Sequence, residues 1–223
     1  MDDKVPEILS RGFCSFLGVT LKVSPGVFVP REETELLAVT ALDLAREIPE
    51  PLIIDMCTGS GNLACALATK LPESKVWAVD ATPECIALLK ENIRHLSLQS
   101  RVVPIQSDLF SALLGTELEG HADLVVCNPP YIPARKLETD RKALLDHEPR
   151  NAFHAGPYGI SIIQQLIRDA AVVLRAERPL CFEFGPGQEG IVARLLERSG
   201  MYRTIRFTLD RAGVPRAVVA YKK

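Results

Sequence analysis

Residues 51–80 read PLIIDMCTGSGNLACALATKLPESKVWAVD: an apolar run ending in an acid, a glycine turn, a helical stretch, and a second apolar run that again ends in an acid. PLIIDMC reads as a buried strand, NLACALATKL as a helix and KVWAVD as the next strand, which together make one strand–helix–strand unit. The same alternation spreads outward from it. TPECIALLKENIRHL is a helix with Thr82 at its N-cap and Pro83 at its first position. RVVPIQSD, ADLVVCN and RPLCFEFG supply three more strands, ISIIQQLIRDAAVVLR and IVARLLERSG supply helices, and Gly200 stops the last of these. YRTIRFTLD and PRAVVAYK, joined by the turn at Arg211, Ala212 and Gly213, read as a closing antiparallel pair. On the other side, the stretch from Arg31 to Pro49 is helical in pattern, and FCSFLGVTLKVSPGVFVP before it, with Gly18 and Ser24-Pro25-Gly26, reads as a short β-hairpin. The expectation is an α/β, Rossmann-like, doubly wound fold: a seven-stranded, mostly parallel sheet with helices on both faces. Residues 1–30 form an N-terminal segment and hairpin that covers it, and residues 31–223 form the ligand-binding domain.

Length and composition narrow the function classes. A chain of 223 residues buries a sizeable core without staples. Its net charge of -2 comes from 26 basic and 28 acidic residues spread along the chain, so no basic stripe offers a duplex-binding face and nucleic acid is not the expected partner. The opening MDDKVPEILSRGF lacks the apolar core of a signal peptide, and no later run approaches the length of a membrane span, which points to the cytoplasm. Cys14, Cys57, Cys65, Cys85, Cys127 and Cys181 form no CxxC pair and sit mostly in apolar stretches, as buried free thiols do. His95, His121, His147 and His154 show no ligand spacing, so no metal is expected.

In sheets of this kind ligands bind at the carboxyl ends of the strands, near the point where strand order reverses. The first such end is Asp55, followed by Cys57, Thr58, Gly59, Ser60 and Gly61, a turn whose glycines let backbone approach a ligand at a helix N-terminus. The next strand ends at Asp80, where a ribose-binding acid is expected. Gly59-Ser-Gly61-Asn-Leu-Ala64 also satisfies a dinucleotide fingerprint, a weak signal alone. Charge separates the two readings. A pyrophosphate is doubly negative, whereas S-adenosylmethionine carries an ammonium, a sulfonium and one carboxylate, so Asp55 repels the first and attracts the second. Asp108 adds an acid where an adenine amino group can be held, with Leu109 as an apolar wall. The three acids at successive strand ends favour S-adenosylmethionine.

A fourth strand runs into Asn128-Pro129-Pro130-Tyr131. Proline has no N–H and cannot continue a ladder, so Pro129 and Pro130 end the strand and leave carbonyl oxygens facing the cleft. Beside them Asn128 offers a side-chain oxygen. Two acceptors at this spacing can grip both protons of a planar NH2 group and turn its lone pair toward a methyl donor, while Tyr131 packs on the planar group and excludes water. Amide nitrogen is a poor nucleophile, so alignment is the help an enzyme can give it.

With these residues the chain resembles the HemK/PrmC family of S-adenosylmethionine-dependent N5-glutamine methyltransferases. The resemblance runs from about Phe13 onward and rests on SPGVFVPREETELL, DMCTGSG, the VD of VWAVD, SDLF, CNPPYI, HEPRNAF and FEFGPGQ. It implies a class I methyltransferase fold and a glutamine of a Gly-Gly-Gln motif in peptide-chain release factors as the target. By the same resemblance Cys57 to Gly61, Asp80, Leu109 and Asn128 contact the cofactor, Asn128 to Tyr131 hold the target, and Pro30, Arg31, Glu33 and Thr34 line the same pocket. The chain departs from the family pattern at Cys57, where glycine is usual, at Glu32, where proline is usual, and at Ala155 to Gly159. Only a dozen residues precede Phe13, so the helical domain that precedes the hairpin in bacterial members is expected to be absent, with a partner protein or a second copy of the chain as its possible replacement. The expected activity is therefore N-methylation of a protein glutamine. A small metabolite bearing an amino, guanidine or amide group is the alternative acceptor, and a catalytically silent S-adenosylmethionine-binding scaffold is the alternative from another class.

Overall fold

A computed structural model describes residues 4–132 and 160–223. A short helix, α1 (Val5–Arg11), opens the chain, with proline in its first turn and Gly12 in the left-handed conformation closing it. The sequence reading had not separated this helix from the N-terminal segment, although both end signals are present. The hairpin follows as β1 (Phe13–Phe16) and β2 (Val19–Lys22), paired antiparallel. Its reversal is made by Leu17 and Gly18, both at positive φ, and the Ser24-Pro25-Gly26 stretch lies after the hairpin. Phe16, Val19 and Leu21 are buried in the same apolar cluster as the main helices, so the hairpin shares their core.

A 3-10 turn at Glu32–Thr34 leads into α2 (Glu35–Ala45). The alternation then runs as expected: β3 (Leu52–Met56), α3 (Asn62–Lys70), β4 (Lys75–Asp80), α4 (Pro83–His95), β5 (Val102–Gln106), β6 (Leu124–Cys127), α5 (Ser161–Val173), β7 (Pro179–Glu183), α6 (Glu189–Ser199), β8 (Tyr202–Leu209) and β9 (Pro215–Lys222). The seven-stranded sheet has the order β5-β4-β3-β6-β7-β9-β8. Its first five strands are parallel, and β9 enters antiparallel between β7 and β8. Pro104 is tolerated inside β5 because β5 is an edge strand.

Side chains alternate between two cores, as strand geometry requires. Ile53, Val76, Ala78, Leu124 and Val126 face the cluster shared with α2, α3 and α4. Ile54, Met56, Val79, Val125 and Phe182 face the cluster under α5 and α6. Apart from Ala78, each of these side chains contributes roughly 1.5–3 kcal/mol by leaving water, and burial on both sides explains the unbroken apolar runs of the inner strands. The consequence for function is positional. Strand order reverses between β3 and β6, whose register pairs Met56 with Cys127, so the glycine turn after β3 and Asn128 after β6 leave the sheet side by side.

Candidate active site

Asp55, completely buried, ends β3 one residue before Met56. Its Oδ2 accepts hydrogen bonds from the Thr58 hydroxyl (2.5 Å) and the Ala64 N–H (3.0 Å), tying the glycine turn to the first turn of α3. Its Oδ1 is buried without a hydrogen-bond partner among the described residues. Burial pushes the Asp55 pKa up to about 7, against the lowering effect of Thr58 and Ala64 and with a further push from the Asp80 charge.

The turn itself is shaped by close approach. Gly61 has φ +83°, and a Cβ there would lie 2.4 Å from Leu89 Cδ1, so any larger residue would have to displace Leu89 and hold a strained backbone. Gly59, also at positive φ, has nothing within 4 Å of where its Cβ would be, which leaves open space beside the backbone. Cys57 has φ +59°, the left-handed region that favours glycine. Its half-buried thiol meets the Cys127 thiol, whose pKa is raised by burial first and by Cys57 next. Asp80 braces the turn from β4: Oδ2 accepts from the Gly59 N–H (2.9 Å), and Oδ1 from the Thr82 N–H (3.1 Å) and hydroxyl (3.2 Å). Thr82 therefore sits at the N-cap of α4 but turns its hydroxyl to Asp80 instead of capping the helix. After β5, Asp108 is exposed while Ser107 and Leu109 are buried, Leu109 at positive φ.

At the end of β6, Pro129 is buried and Asn128, Pro130 and Tyr131 are half-buried. The Asn128 Nδ2 donates to the Thr34 hydroxyl (3.0 Å), and Thr34 is itself buried. The Tyr131 hydroxyl donates to Glu183 Oε1 (3.0 Å) at the end of β7. Gln188 completes the brace, its Nε2 donating to the Tyr131 carbonyl (3.1 Å) while its Oε1 accepts from the Gly185 N–H (2.8 Å). Burial raises the Glu183 pKa, and hydrogen bonds from Thr34 and Tyr131 and the charge of Arg216, 3.9 Å away, oppose it. Of the residues expected to line the acceptor pocket, Thr34 faces Asn128, Glu33 is exposed but close enough to raise the Glu183 pKa, and Arg31 stacks over Phe28 at 4.7 Å. Pro30 is half-buried beside them. HEPRNAF and the Ala155 to Gly159 stretch lie outside the described residues.

The sequence reading missed Glu183, Gln188 and Asn92. Asn92 is buried in α4, where its amide exchanges hydrogen bonds with both backbone groups of Lys22 (2.7 and 3.1 Å) and donates to the Ser60 carbonyl (2.9 Å), pinning the hairpin to the glycine turn. Glu183 carried one signal, an acid inside the apolar strand LCFEF.

The chain matches the family model of the methyltransferase small domain over residues 18–147. It is 34% identical over 215 residues to the release factor glutamine methyltransferase of Rhodopirellula baltica, covering 95% of this chain and 72% of the relative. With that of Gloeobacter violaceus it shares 34% over 221 residues, covering 99% and 76%. The chain belongs to the release factor glutamine methyltransferase family. It is accordingly an S-adenosylmethionine-dependent N-methyltransferase. Solved structures of lower identity share the fold: a T. thermophilus 16S rRNA N2 methyltransferase solved with AdoMet and guanosine (TM-score 0.67, 22% identity, 95% of this chain and 50% of that one) and a methyltransferase from Pyrococcus furiosus (TM-score 0.62, 16% identity, 93% and 91%). Two features of the release factor methyltransferase fold seen here fit S-adenosylmethionine. The unpartnered Asp55 Oδ1 is an acceptor for an ammonium, and the open space at Gly59 lets a ligand lie against backbone. Among the described residues no three ligating side chains gather as a metal site, and no helix is long and apolar enough to cross a membrane.

Proposed function

We propose that this chain methylates the side-chain nitrogen of a protein glutamine of the release-factor type, in the cytoplasm where release factors work. S-adenosylmethionine supplies an electrophilic methyl group on its sulfonium. Asp55, Cys57 to Gly61, Asp80, Asp108 and Leu109 would hold the cofactor, and the sequence positions of Asn128, Pro129, Pro130 and Tyr131 would hold the acceptor. The observation that carries the reading is the Asn128 amide. Its Nδ2 is engaged by Thr34, which leaves Oδ1 as the acceptor for a target N–H, beside carbonyls of prolines that have no N–H to offer. An amide nitrogen gripped through both protons presents its lone pair in one direction, and in a site that excludes water this orientation is the main contribution to rate. The relatives' names supply the substrate class, since each is a release factor glutamine methyltransferase.

The test uses methyl-labelled S-adenosylmethionine with a cell lysate separated into protein and small-molecule fractions, and in parallel with a purified peptide-chain release factor. Label in the release factor, located by fragmentation to the glutamine of its Gly-Gly-Gln motif, is the expected result. Label confined to small molecules would establish the metabolite reading, and cofactor binding without transfer to any acceptor would establish the scaffold.

A further inference from the structure

Three segments far apart in sequence meet at one buried carboxyl group. Glu183, 3% exposed at the end of β7, accepts from the Tyr131 hydroxyl at 3.0 Å and from the Thr34 hydroxyl, and Thr34 in turn accepts from Asn128 Nδ2 at 3.0 Å. Direction matters here. The Thr34 hydrogen bond favours the charged form of Glu183, as a donated proton does, so the Thr34 proton points to Glu183 and a Thr34 lone pair faces Asn128. Only the NH2 end of the Asn128 amide can satisfy that lone pair. The oxygen end is thereby turned away from Thr34.

We propose that Thr34, backed by Glu183, is a positioning residue that fixes which end of the Asn128 amide faces the acceptor, and not a residue that binds the acceptor itself. The proposal rests on the reading of Asn128 as the group that accepts a hydrogen bond from the target nitrogen. Glu183 and Gln188 hold the other end of the same four-residue turn through the Tyr131 hydroxyl and carbonyl, so the turn is braced at both ends. Without the Thr34 hydroxyl the amide loses one hydrogen bond that favours the productive orientation. Its NH2 end then turns to the cleft, where it opposes a target that is also a donor.

Thr34→Val removes the hydroxyl with little change of shape, and Thr34→Ser restores it. With a purified release factor, Thr34→Val should lower kcat about tenfold, the equivalent of one ordinary hydrogen bond. KM for the release factor and the calorimetric affinity for S-adenosylmethionine should stay within about twofold, and Thr34→Ser should recover most of kcat. Thr34→Ala serves if the valine variant does not fold, and calorimetry of the cofactor reports folding independently of activity. Three outcomes overturn the proposal: parental kcat in Thr34→Val while Asn128→Ala is impaired, a rise in KM for the release factor with kcat unchanged, or a serine variant as slow as the valine one. Parental kcat in Asn128→Ala would instead remove the reading on which the proposal rests.

Discussion

Asp55 links burial to pH. Its carboxyl is fully buried, and burial raises its pKa from an ordinary 3.8 to about 7. A group whose pKa is higher in the folded state than in the unfolded state binds its proton more tightly when folded. Its contribution is therefore fully present below the unfolded value and is lost as pH rises through the folded one. The whole gap corresponds to about 4 kcal/mol, of which roughly 2 to 3 kcal/mol is lost between about pH 5 and pH 8. Asp55→Asn keeps an oxygen for Thr58 and Ala64 but cannot ionise, so that slope should vanish. The assay is urea unfolding of the cofactor-free protein across this range, for parent and variant together. Equal pH slopes in the two proteins would refute the assignment of the shift to Asp55. A cofactor ammonium beside Oδ1 should pull the same pKa down, so binding at about pH 6 should release a proton, seen as a buffer-dependent heat in calorimetry.

Asp80→Ala removes a carboxylate that already holds the Gly59 N–H and Thr82, and should weaken S-adenosylmethionine binding by roughly 2 to 4 kcal/mol; unchanged affinity by calorimetry would remove Asp80 from the cofactor site. Gly61→Ala places a Cβ against Leu89 at positive φ, so thermal or urea unfolding should show a loss of about 2 to 4 kcal/mol, whereas a neutral substitution would mean that the turn can relax. For Cys57→Gly the relief of a left-handed backbone and the loss of the contact with Cys127 act in opposite directions. Stability should move by less than about 1 kcal/mol, and cofactor affinity should be nearly unchanged because the thiol is turned toward Cys127; a marked tightening would show that Cys57 crowds the cofactor.

The inner strands β3, β4, β6 and β7 were legible because both of their faces are largely buried, so they appear as short apolar runs, closed by an acid, a glycine turn or Asn128-Pro129. Asp55 and Asp80 could be read for the same reason, since each stands at the end of such a run. The helix at Val5–Arg11 was not separated because it is short and shares its apolar side chains with a small cluster around Val23 and Val29. The braces of the Asn128 turn were hidden for a different reason. Thr34 and Asn128 are 94 residues apart, and Tyr131 and Glu183 are 52 apart, so spacing carries no trace of their contact. Asn92 reads as one more polar residue on an amphipathic helix, and only the docked hairpin turns it into the link between Lys22 and Ser60. Expected roles of Pro30, Arg31, Glu33 and Thr34 came from resemblance, and the fold places Thr34 on Asn128, where a structural role competes with direct contact to the acceptor.

The central claim is that Asn128 holds the acceptor nitrogen, and it is tested most directly by the single-turnover rate of methyl transfer to a purified release factor with S-adenosylmethionine saturating. Asn128→Ala removes one positioned acceptor and should slow transfer by about 10² to 10³. Asn128→Asp keeps the shape but adds a charge that stabilises the sulfonium more before transfer than during it, so cofactor binding should hold while the rate falls. Pro129 and Pro130 end the strand in both variants, so both should stay folded. Transfer by Asn128→Ala at the parental rate would mean that Asn-Pro-Pro-Tyr is only a turn in this protein, and the mechanism would fail.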